Sequence, residues 1–373
     1  LLPFVFGMEP ISGIAMMMGL LSVVATSDTF PAVLIGVPGS VSAQATVMDG
    51  FPLAKKGQAA RALSAAFFAS LFGGLFGATL LTMIIQIAKP IILAFGTGEM
   101  LMLAIFGISI VGTLTGSSIA KGLVAACLGL IIGAIGIAPA TSEYRLDMST
   151  FLDVHNPVVS YLSGGIHLMV IAISIFAVPE IVELLRTNKP VSEKARLEKT
   201  GWAQGFKDFL ANKFLVLRCS FIGSFIGMIP GIGGSCIDWI SYSHAKTTVK
   251  DSDNFGKGDI RGVIGPESSS NSKEGGALIP TLLFGIPGSG GTAVLMGGLI
   301  LLGVDPGIQL IETKLDLVYT IIWSLAVANI FGAIICATLA KPISNLTTIN
   351  FTLLAPFLIS LILFAIFNST RSW

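Results

Sequence analysis

The chain has 373 residues, of which 53% are hydrophobic and only 12% are charged, and its formal net charge is +1. Soluble domains carry about 25% charged residues, so the composition excludes an ordinary soluble protein and predicts a polytopic integral membrane protein. The balanced charge, without a basic patch interleaved with aromatic residues, argues against nucleic-acid binding.

Apolar runs punctuated by short polar segments follow one another along the chain. The first run begins after Pro10 and is interrupted at Asp28, and the next carries a Val-Pro-Gly-Ser sequence at 37–40. Apolar runs long enough to cross a bilayer occupy 62–88, 100–120, 122–138, 162–179, 214–230, 317–340 and 349–367, and Arg218 is the one charged residue within them.

The charges of the connecting segments predict their sides. Segment 186–213 is rich in Lys and Arg, as is the cluster at 55–61, and excess basic residues mark cytoplasmic loops. Counting spans between these two segments places both on the cytoplasmic side and the acidic segment 139–157 outside. The acidic segment 305–316 suits the outer face as well.

One uncharged stretch, 275–304, is too long and too interrupted for a single straight helix. Pro280 and Pro287 each lack a backbone donor, and about 30 helical residues would span about 45 Å against a hydrocarbon core of about 30 Å. We therefore predict two half-helices that meet at the sequence GIPGSGG. Irregular backbone at this depth survives only beside protein or a wet cavity.

A near copy of this break occurs earlier in the chain. The sequence LIGVPGS at 34–40 matches LFGIPGS at 283–289, and Gly-Met-Glu-Pro at 7–10 matches Gly-Met-Ile-Pro at 227–230. Together with the opposite loop charges, this predicts inverted repeats with broken, re-entrant helical hairpins. The predicted division is a first repeat at 1–185, a cytoplasmic connecting loop at 186–213 and a second repeat at 214–373, with a further hydrophilic segment at 246–274.

The two breaks are the first candidates for a binding site. A broken helix offers unpaired N–H groups and a positive dipole end to an anion. Hydroxyl groups follow each break and can bind a carboxylate or coordinate Na⁺; alternatively, each bonds its own helix backbone. The break residues are Pro38, Gly39, Pro287 and Gly288, and the candidate substrate-binding hydroxyls are Ser40, Ser42, Thr46, Ser289 and Thr292.

Polar residues beside the breaks are candidates for coupling or gating. Glu267 and Asn271 precede the second break, and their functional reading is cation coordination, substrate contact or gate closing; the alternative is a solvated loop. Asp49 is a further candidate, although Asp-Gly is also an ordinary turn. The sequence contains no Walker A motif and no metal-ligand spacing of cysteines, so we predict neither an enzyme nor a metal site.

Residues 254–289, from NFGKGDIRG to FGIPGS, resemble a long motif in the large membrane subunit of the tripartite tricarboxylate transporters. Residues 37–63 resemble that family's first-half motif, and the resemblance covers most of the chain. One departure is Ser270, which stands where the family often has the first of two asparagines. Family members are longer, so the resemblance implies further spans after Trp373 and a longer N-terminus.

The resemblance implies a multi-pass secondary transporter of the bacterial inner membrane, with Asn271 in its substrate site and Ser270 among its coupling or gating candidates. It implies two partners, a small membrane subunit and a periplasmic substrate-binding protein, a carboxylate cargo, and an H⁺ or Na⁺ gradient with no other cofactor. The alternatives are the large subunit of another binding-protein-dependent carboxylate transporter, a channel, or an intramembrane enzyme.

Overall fold

The computed structural model describes residues 5, 7–34, 36, 38–92, 119–137, 143–146, 157–163, 165–166, 199–230 and 234–346, with a few single positions elsewhere. Helices dominate this part of the chain, as predicted. In chain order they are α1 Pro10–Ser27, α2 Thr29–Leu34, α3 Gln44–Lys55, α4 Ala59–Ile92, α5 Ile119–Ala134, α6 Pro157–Ser163, α7 Lys199–Ala211, α8 Lys213–Gly227, α9 Gly234–Thr248, α10 Arg261–Phe284, α11 Gly290–Leu301, α12 Ile308–Thr313, α13 Leu315–Thr338 and α14 Ala340–Leu346.

Short elements supplement these helices. Single 3₁₀ turns lie at Val41–Ala43 and Ser252–Asn254. Two strands, β1 (Gly136–Ile137) and β2 (Tyr144–Leu146), pair in antiparallel fashion where the predicted run 122–138 meets the predicted polar segment 139–157. The ribbon is a small departure from the predicted all-α fold, and strands this short bury no face of their own.

Among the residues that the structure describes, three helical stretches are long and apolar enough to cross a membrane: Pro10–Leu34, Ala59–Ile87 and Leu315–Thr338. Helices α7 and α8 add a fourth if they are counted as one span, although they meet at a bend of 73°. Large apolar side chains point away from the protein, for example Phe214 (71% exposed) and Trp323 (63%). Hydrocarbon solvates such side chains, so the described part is that of a multi-pass membrane protein.

The predicted runs at 62–88 and 317–340 correspond to α4 and α13. The run at 214–230 corresponds to α8, whereas the run at 122–138 forms only the shorter helix α5. The predicted runs at 100–120, 162–179 and 349–367 lie largely outside the described residues, as does most of the connecting segment before residue 199.

Helix α10 occupies the centre of the described fold. Its residues 262–283 are all buried, and α4, α8 and α9 pack along its sides. These helices approach so closely that only glycine fits: a Cβ at Gly77 would lie 2.7 Å from the carbonyl oxygen of Ser272, and one at Gly227 would lie 2.8 Å from that of Lys273. Small residues at such contacts are the usual means of packing helices in membranes.

The central helix corrects two predictions. Residues 261–274 belong to the segment predicted as hydrophilic and loop-like, yet they are helical and buried. Their polar atoms are tolerated there because neighbouring helices supply hydrogen-bond partners. In a solvated loop, water would supply those partners instead. Pro280 does not interrupt the helix, which continues through it to Phe284. In the predicted connecting loop 186–213, residues 199–211 form α7.

The two Pro-Gly-Ser breaks have the same local geometry. Gly36 and Gly285 have φ of +74° and +66°, in the left-handed region that favours glycine. Ser40 then has φ −146° and ψ 174°, and Ser289 has φ −149° and ψ 169°. Each serine precedes a new helical segment, so the 275–304 stretch consists of two helices, α10 and α11.

Each break also folds back against the helix before it. A Cβ at Gly39 would lie 2.8 Å from the Cα of Asp28, and one at Gly288 would lie 2.7 Å from the Cα of Ala277. Both glycines therefore contact the residue eleven positions earlier. The resemblance between the two breaks thus extends from sequence to packing, whereas their inverted orientation remains a prediction.

Candidate functional site

A cavity of about 520 Å³ lies between the two breaks. Ser40 and Ser42 of the first break and Ser289 of the second line it, and apolar side chains of α1 and α11 form much of the remaining wall. Cavities of this size with mostly apolar walls and a few polar groups are typical of small-molecule sites. The cavity is therefore the candidate site.

Helix N-termini surround this cavity because each break ends in a serine cap. The Ser40 hydroxyl accepts the N–H of Ser42, and the Ser289 hydroxyl accepts the N–H of Thr292. Thr292 returns a hydrogen bond by accepting the N–H of Ser289 at 2.8 Å, which completes a capping box. The first residue of α9, Gly234, also lines the cavity. Positive dipole ends that converge in this way favour an anion.

A buried ion pair lines the cavity, beside the carboxyl group of Asp28. The Lys273 Nζ lies 2.7 Å from Glu274 Oε1 and 3.5 Å from the Ser42 hydroxyl, and both charged side chains are 8% exposed. Among the described residues that line the cavity, Lys273 is the only basic one. A Cβ at Gly234 would overlap the Ser42 hydroxyl and would lie 3.1 Å from the Lys273 Nζ, so glycine makes room for this group.

Glu267 lies behind the cavity and holds both arms of the first hairpin. Its Oε2 accepts the Thr29 hydroxyl and its Oε1 accepts the Thr46 hydroxyl, each at 2.9 Å. Thr29 precedes the first break and Thr46 follows it, and all three residues are buried. The carboxylate of α10 therefore fixes the position of the first break, and the solvated-loop interpretation of Glu267 is wrong.

A second carboxylate, Asp238, supports the start of α3. Its Oδ2 accepts the N–H of Ala45 at 2.6 Å, and the Ser270 hydroxyl lies 3.4 Å from its Oδ1. The same hydroxyl donates to the carbonyl oxygen of Ser42 at 2.8 Å. Ser270 thus connects α10 to the first break without lining the cavity.

Asp49 ties the middle of α3 to the segment before α10. Its Oδ1 accepts the N–H groups of Gly258 and Asp259 at 2.7 and 2.8 Å, and its Oδ2 accepts the Tyr242 hydroxyl at 2.9 Å. Asp49 is fully buried and lies within helix α3, so the alternative of an ordinary exposed Asp-Gly turn is wrong.

The segment before α10 is further anchored by Arg261. Its guanidinium binds the Asp259 carboxylate at 2.6 and 2.9 Å and donates to the carbonyl oxygens of Lys250 and Asp251. The hydrogen bonds to Asp259 raise the pKa of Arg261 above its usual value. The first turn of the central helix is therefore fixed by charge as well as by Asp49.

The Asp49 contacts give a testable expectation. Asp49→Ala leaves two backbone donors and a tyrosine hydroxyl without their acceptor, and each such buried group costs about 1–3 kcal/mol. We expect a markedly lower thermal unfolding midpoint of the purified protein. Asp253→Ala, at an exposed position of the adjoining 3₁₀ turn, should leave the midpoint unchanged. An equal midpoint for the two variants would contradict this role of Asp49.

The predicted site residues thus separate into two groups. Ser40, Ser42 and Ser289 line the cavity, with Gly39 and Gly288 packed just behind it. Five other predicted polar residues form the buried layer that supports it, Thr46, Asp49, Glu267, Ser270 and Thr292, and Asn271 belongs to neither group. Asn271 lies in a separate cluster between helices, away from the cavity walls.

Sequence reasoning missed four charged residues at or beside the cavity: Asp28, Asp238, Lys273 and Glu274. A signal for them existed, since charged residues within apolar surroundings in a membrane protein are costly and commonly functional. Lys273 and Glu274 were assigned to a hydrophilic segment because their neighbours are serines and glycines. They lie beside the first break only because that segment forms helix α10, which packs against it.

A family model described as "Tripartite tricarboxylate transporter TctA family" matches residues 1–373. The chain is similar to an "Uncharacterized 52.8 kDa protein in TAR-I ttuC' 3'region" of Agrobacterium vitis, with 30% identity over 356 residues, which cover 95% of this chain and 69% of that protein.

A second relative from Agrobacterium vitis is an "Uncharacterized protein in TAR-II ttuC' 3'region". It is 35% identical over 134 residues, which cover 36% of this chain and 55% of that protein. No solved structure matches the chain.

Proposed function

Because the chain belongs to the tripartite tricarboxylate transporter TctA family, we propose that it is the large membrane subunit of an ion-gradient-driven importer of tricarboxylates or related carboxylates. The family is one of transporters and not of enzymes. The proposed cargo binds in the cavity between the two Pro-Gly-Ser breaks.

The observation that carries this proposal is Lys273 at the meeting point of the two breaks. A carboxylate in the cavity gains a charge-assisted hydrogen bond from the ammonium group and the field of the capped helix N-termini. Ser42 and Ser289 add hydroxyl donors beside it. In the absence of cargo, Glu274 holds the Lys273 ammonium group at 2.7 Å. A multiply charged carboxylate competes well with Glu274 for that ammonium group.

Lys273 also suits an alternating-access cycle. The lysine extends from the central helix, whereas Ser42 belongs to the first hairpin and Ser289 to the second. Cargo bound by all three therefore bridges elements that have to separate when the cavity opens to one side or the other. We propose that the two hairpins enter the membrane from opposite faces, in the inverted-repeat manner of secondary transporters.

Contacts between segments support the proposed sidedness. Arg61, from the first basic cluster, forms an ion pair with Asp208 of α7 at 2.5 Å. Lys56 donates to the carbonyl oxygen of Lys257 at 2.6 Å. The segments at 55–61, 199–213 and 250–260 therefore lie at one end of the molecule, and the basic character of the first two favours the cytoplasm.

The remaining parts of the proposal follow from the tripartite family. The chain would work in the bacterial inner membrane with a small membrane subunit and a periplasmic binding protein that delivers the carboxylate. Binding-protein delivery sets much of the choice among carboxylates, so the cavity needs only a general anion site. A Na⁺ or H⁺ gradient would drive accumulation.

Reconstitution tests the proposed function directly. Proteoliposomes that contain this subunit, its small membrane subunit and its binding protein should take up radiolabelled di- or tricarboxylates when an inward ion gradient is imposed. Liposomes without the binding protein are the matched control and should show background uptake only. Uptake that persists without both the binding protein and any ion gradient would indicate a channel and overturn the proposal.

A further inference from the structure

A cluster of uncharged polar side chains lies between four helices, apart from the cavity. It comprises Thr26 of α1, Ser70 of α4, Asn271 of α10 and Asn329 of α13, each at most 1% exposed. Burying polar groups at membrane depth is costly, and the carboxylate cavity described above uses none of these four side chains.

Four oxygens of the cluster surround the amide nitrogen of Asn271. The Asn271 Nδ2 lies 2.5 Å from Asn329 Oδ1, 2.9 Å from the Ser70 carbonyl oxygen, 3.1 Å from the Ser70 hydroxyl and 3.5 Å from the Thr26 hydroxyl. An amide NH₂ has only two hydrogens to donate, yet four oxygens face it. The amide therefore cannot bond all four, although the hydroxyls of Thr26 and Ser70 also bond each other at 3.0 Å.

The amide oxygen of the same residue shows the opposite imbalance. Asn271 Oδ1 is buried and has no hydrogen-bond partner among the described residues, and a buried acceptor left unmade costs about 1–3 kcal/mol. Turning the amide over by 180° would direct this oxygen toward the other four. Five oxygens would then lie together with only the two hydroxyl hydrogens of Thr26 and Ser70 to share among them, and a bound cation would relieve this excess of acceptors.

The helix packing brings Asn329 into the cluster. A Cβ at Gly74 would lie 2.5 Å from the Asn329 Cγ, so a glycine one turn after Ser70 admits the asparagine to the cluster. The Asn329 Nδ2 donates to the carbonyl oxygen of Leu325 at 2.9 Å. That bond directs the Asn329 oxygen toward Asn271 and fixes which atom of its amide faces the cluster.

We propose that Thr26, Ser70, Asn271 and Asn329 form a binding site for Na⁺, which serves as the coupling ion. The identification as coupling ion rests on the transport function proposed above, whereas the binding site itself does not. Hard cations take oxygen ligands, and carbonyl, amide and hydroxyl oxygens without a carboxylate suit a single positive charge. None of the four side chains titrates in the physiological range, so the cluster is not a proton site.

The position of the site explains how the ion would act on the cargo. Ser270, the neighbour of Asn271, holds the first break through the carbonyl oxygen of Ser42. Lys273 lies on α10 two residues after Asn271. Na⁺ would join α10 to α1, α4 and α13 while the cavity residues on the same helix hold the carboxylate. Occupation of one site then stabilises the arrangement that the other requires.

The test is direct binding of ²²Na⁺ to the purified subunit in lipid nanodiscs, with neither cargo nor binding protein present and choline used to keep ionic strength constant. We expect saturable binding to the unmodified subunit. Ser70→Ala should raise the half-saturating Na⁺ concentration by at least about tenfold, as losses at metal sites commonly do. Ser64→Ala makes the same change in a buried serine two turns away on α4, whose hydroxyl instead binds the carbonyl oxygen of Trp202, and should leave binding unchanged.

Asn329→Ala provides a second test and should remove saturable binding, with size-exclusion chromatography used to confirm that the variant remains folded. If it does not fold, the Ser70→Ala and Ser64→Ala pair still decides the matter. An absence of saturable binding to the unmodified subunit, or equal binding by the two serine variants, would overturn the site.

Uptake measurements separate this inference from the function. Carboxylate uptake driven by a pH gradient alone in Na⁺-free buffer would overturn Na⁺ coupling and leave the transporter intact. Saturable ²²Na⁺ binding without carboxylate uptake by the full system would support the ion site and count against the proposed cargo.

Discussion

Lys273→Met is expected to weaken carboxylate uptake strongly at limiting carboxylate concentration in the reconstituted system. Losing one partner of a buried, charged hydrogen bond costs about 2 kcal/mol or more, which is roughly a thirtyfold loss of affinity for the cargo. Lys273 is the only basic residue among the described residues that line the cavity. The measurement is the initial uptake rate as a function of carboxylate concentration. The loss of affinity should appear as a higher carboxylate concentration at half-maximal uptake.

A structural role of Lys273 has to be separated from a role in binding. Removing the lysine leaves the Glu274 carboxylate buried without its partner, and breaking such a pair costs about 3–5 kcal/mol of stability. The double variant Lys273→Met, Glu274→Gln removes both charges and should restore the thermal unfolding midpoint. If Lys273 binds the cargo, this variant still fails in uptake.

Lys246→Met is the matched control, because it makes the same change at an exposed lysine of α9. It should transport at the unmodified rate. Full uptake by the double variant would contradict the assignment of Lys273 to the cargo and leave it as a structural residue. Proteoliposomes have to contain equal amounts of each variant for this comparison.

Gly276→Ala is expected to prevent stable folding of the subunit. A Cβ at this position would overlap the carbonyl oxygen of Ser224 on α8, and backbone cannot move aside as a flexible side chain does. Forcing even one extra carbon into a packed interior costs about 1–3 kcal/mol, and here two whole helices would have to separate. We expect low recovery of monodisperse protein and a sharply lower unfolding midpoint.

Gly19→Ala on α1 is the control, since a Cβ there meets nothing within 4 Å. It should be recovered in normal amounts, and the intrinsic helix preference of alanine over glycine should even favour it slightly. If Gly276→Ala has the same unfolding midpoint as Gly19→Ala, the close packing of α8 against α10 does not contribute to stability.

The breaks were predictable because their causes are local. Proline removes a backbone donor and glycine accepts positive φ, so the repeated Gly-x-Pro-Gly-Ser sequence was sufficient to locate both interruptions. Ser40 and Ser289 were recognisable for the same reason, since a serine before a new helix is a usual N-cap. Composition likewise indicated the membrane class, because the bilayer demands long apolar runs.

The central helix could not be predicted from local pattern. Residues 261–274 contain serines, glycines and charges, which in isolation resemble a solvated loop. They form a buried helix because α4 and α8 approach through glycine and because Thr29 and Thr46 satisfy Glu267. These partners are separated from Glu267 by more than 200 residues in sequence, and no local window contains both ends of such a bond.

The sequence by itself therefore determined the membrane class, the family and the two breaks, since each depends on composition or on a short contiguous motif. The tertiary structure decided which residues the breaks enclose. It placed Lys273 in the cavity, placed Thr46 and Glu267 in the buried layer behind it, and collected Asn271 with three residues from other helices. Those assignments depend on distances between helices, which are set by packing across the whole fold and not by the order of residues within one segment.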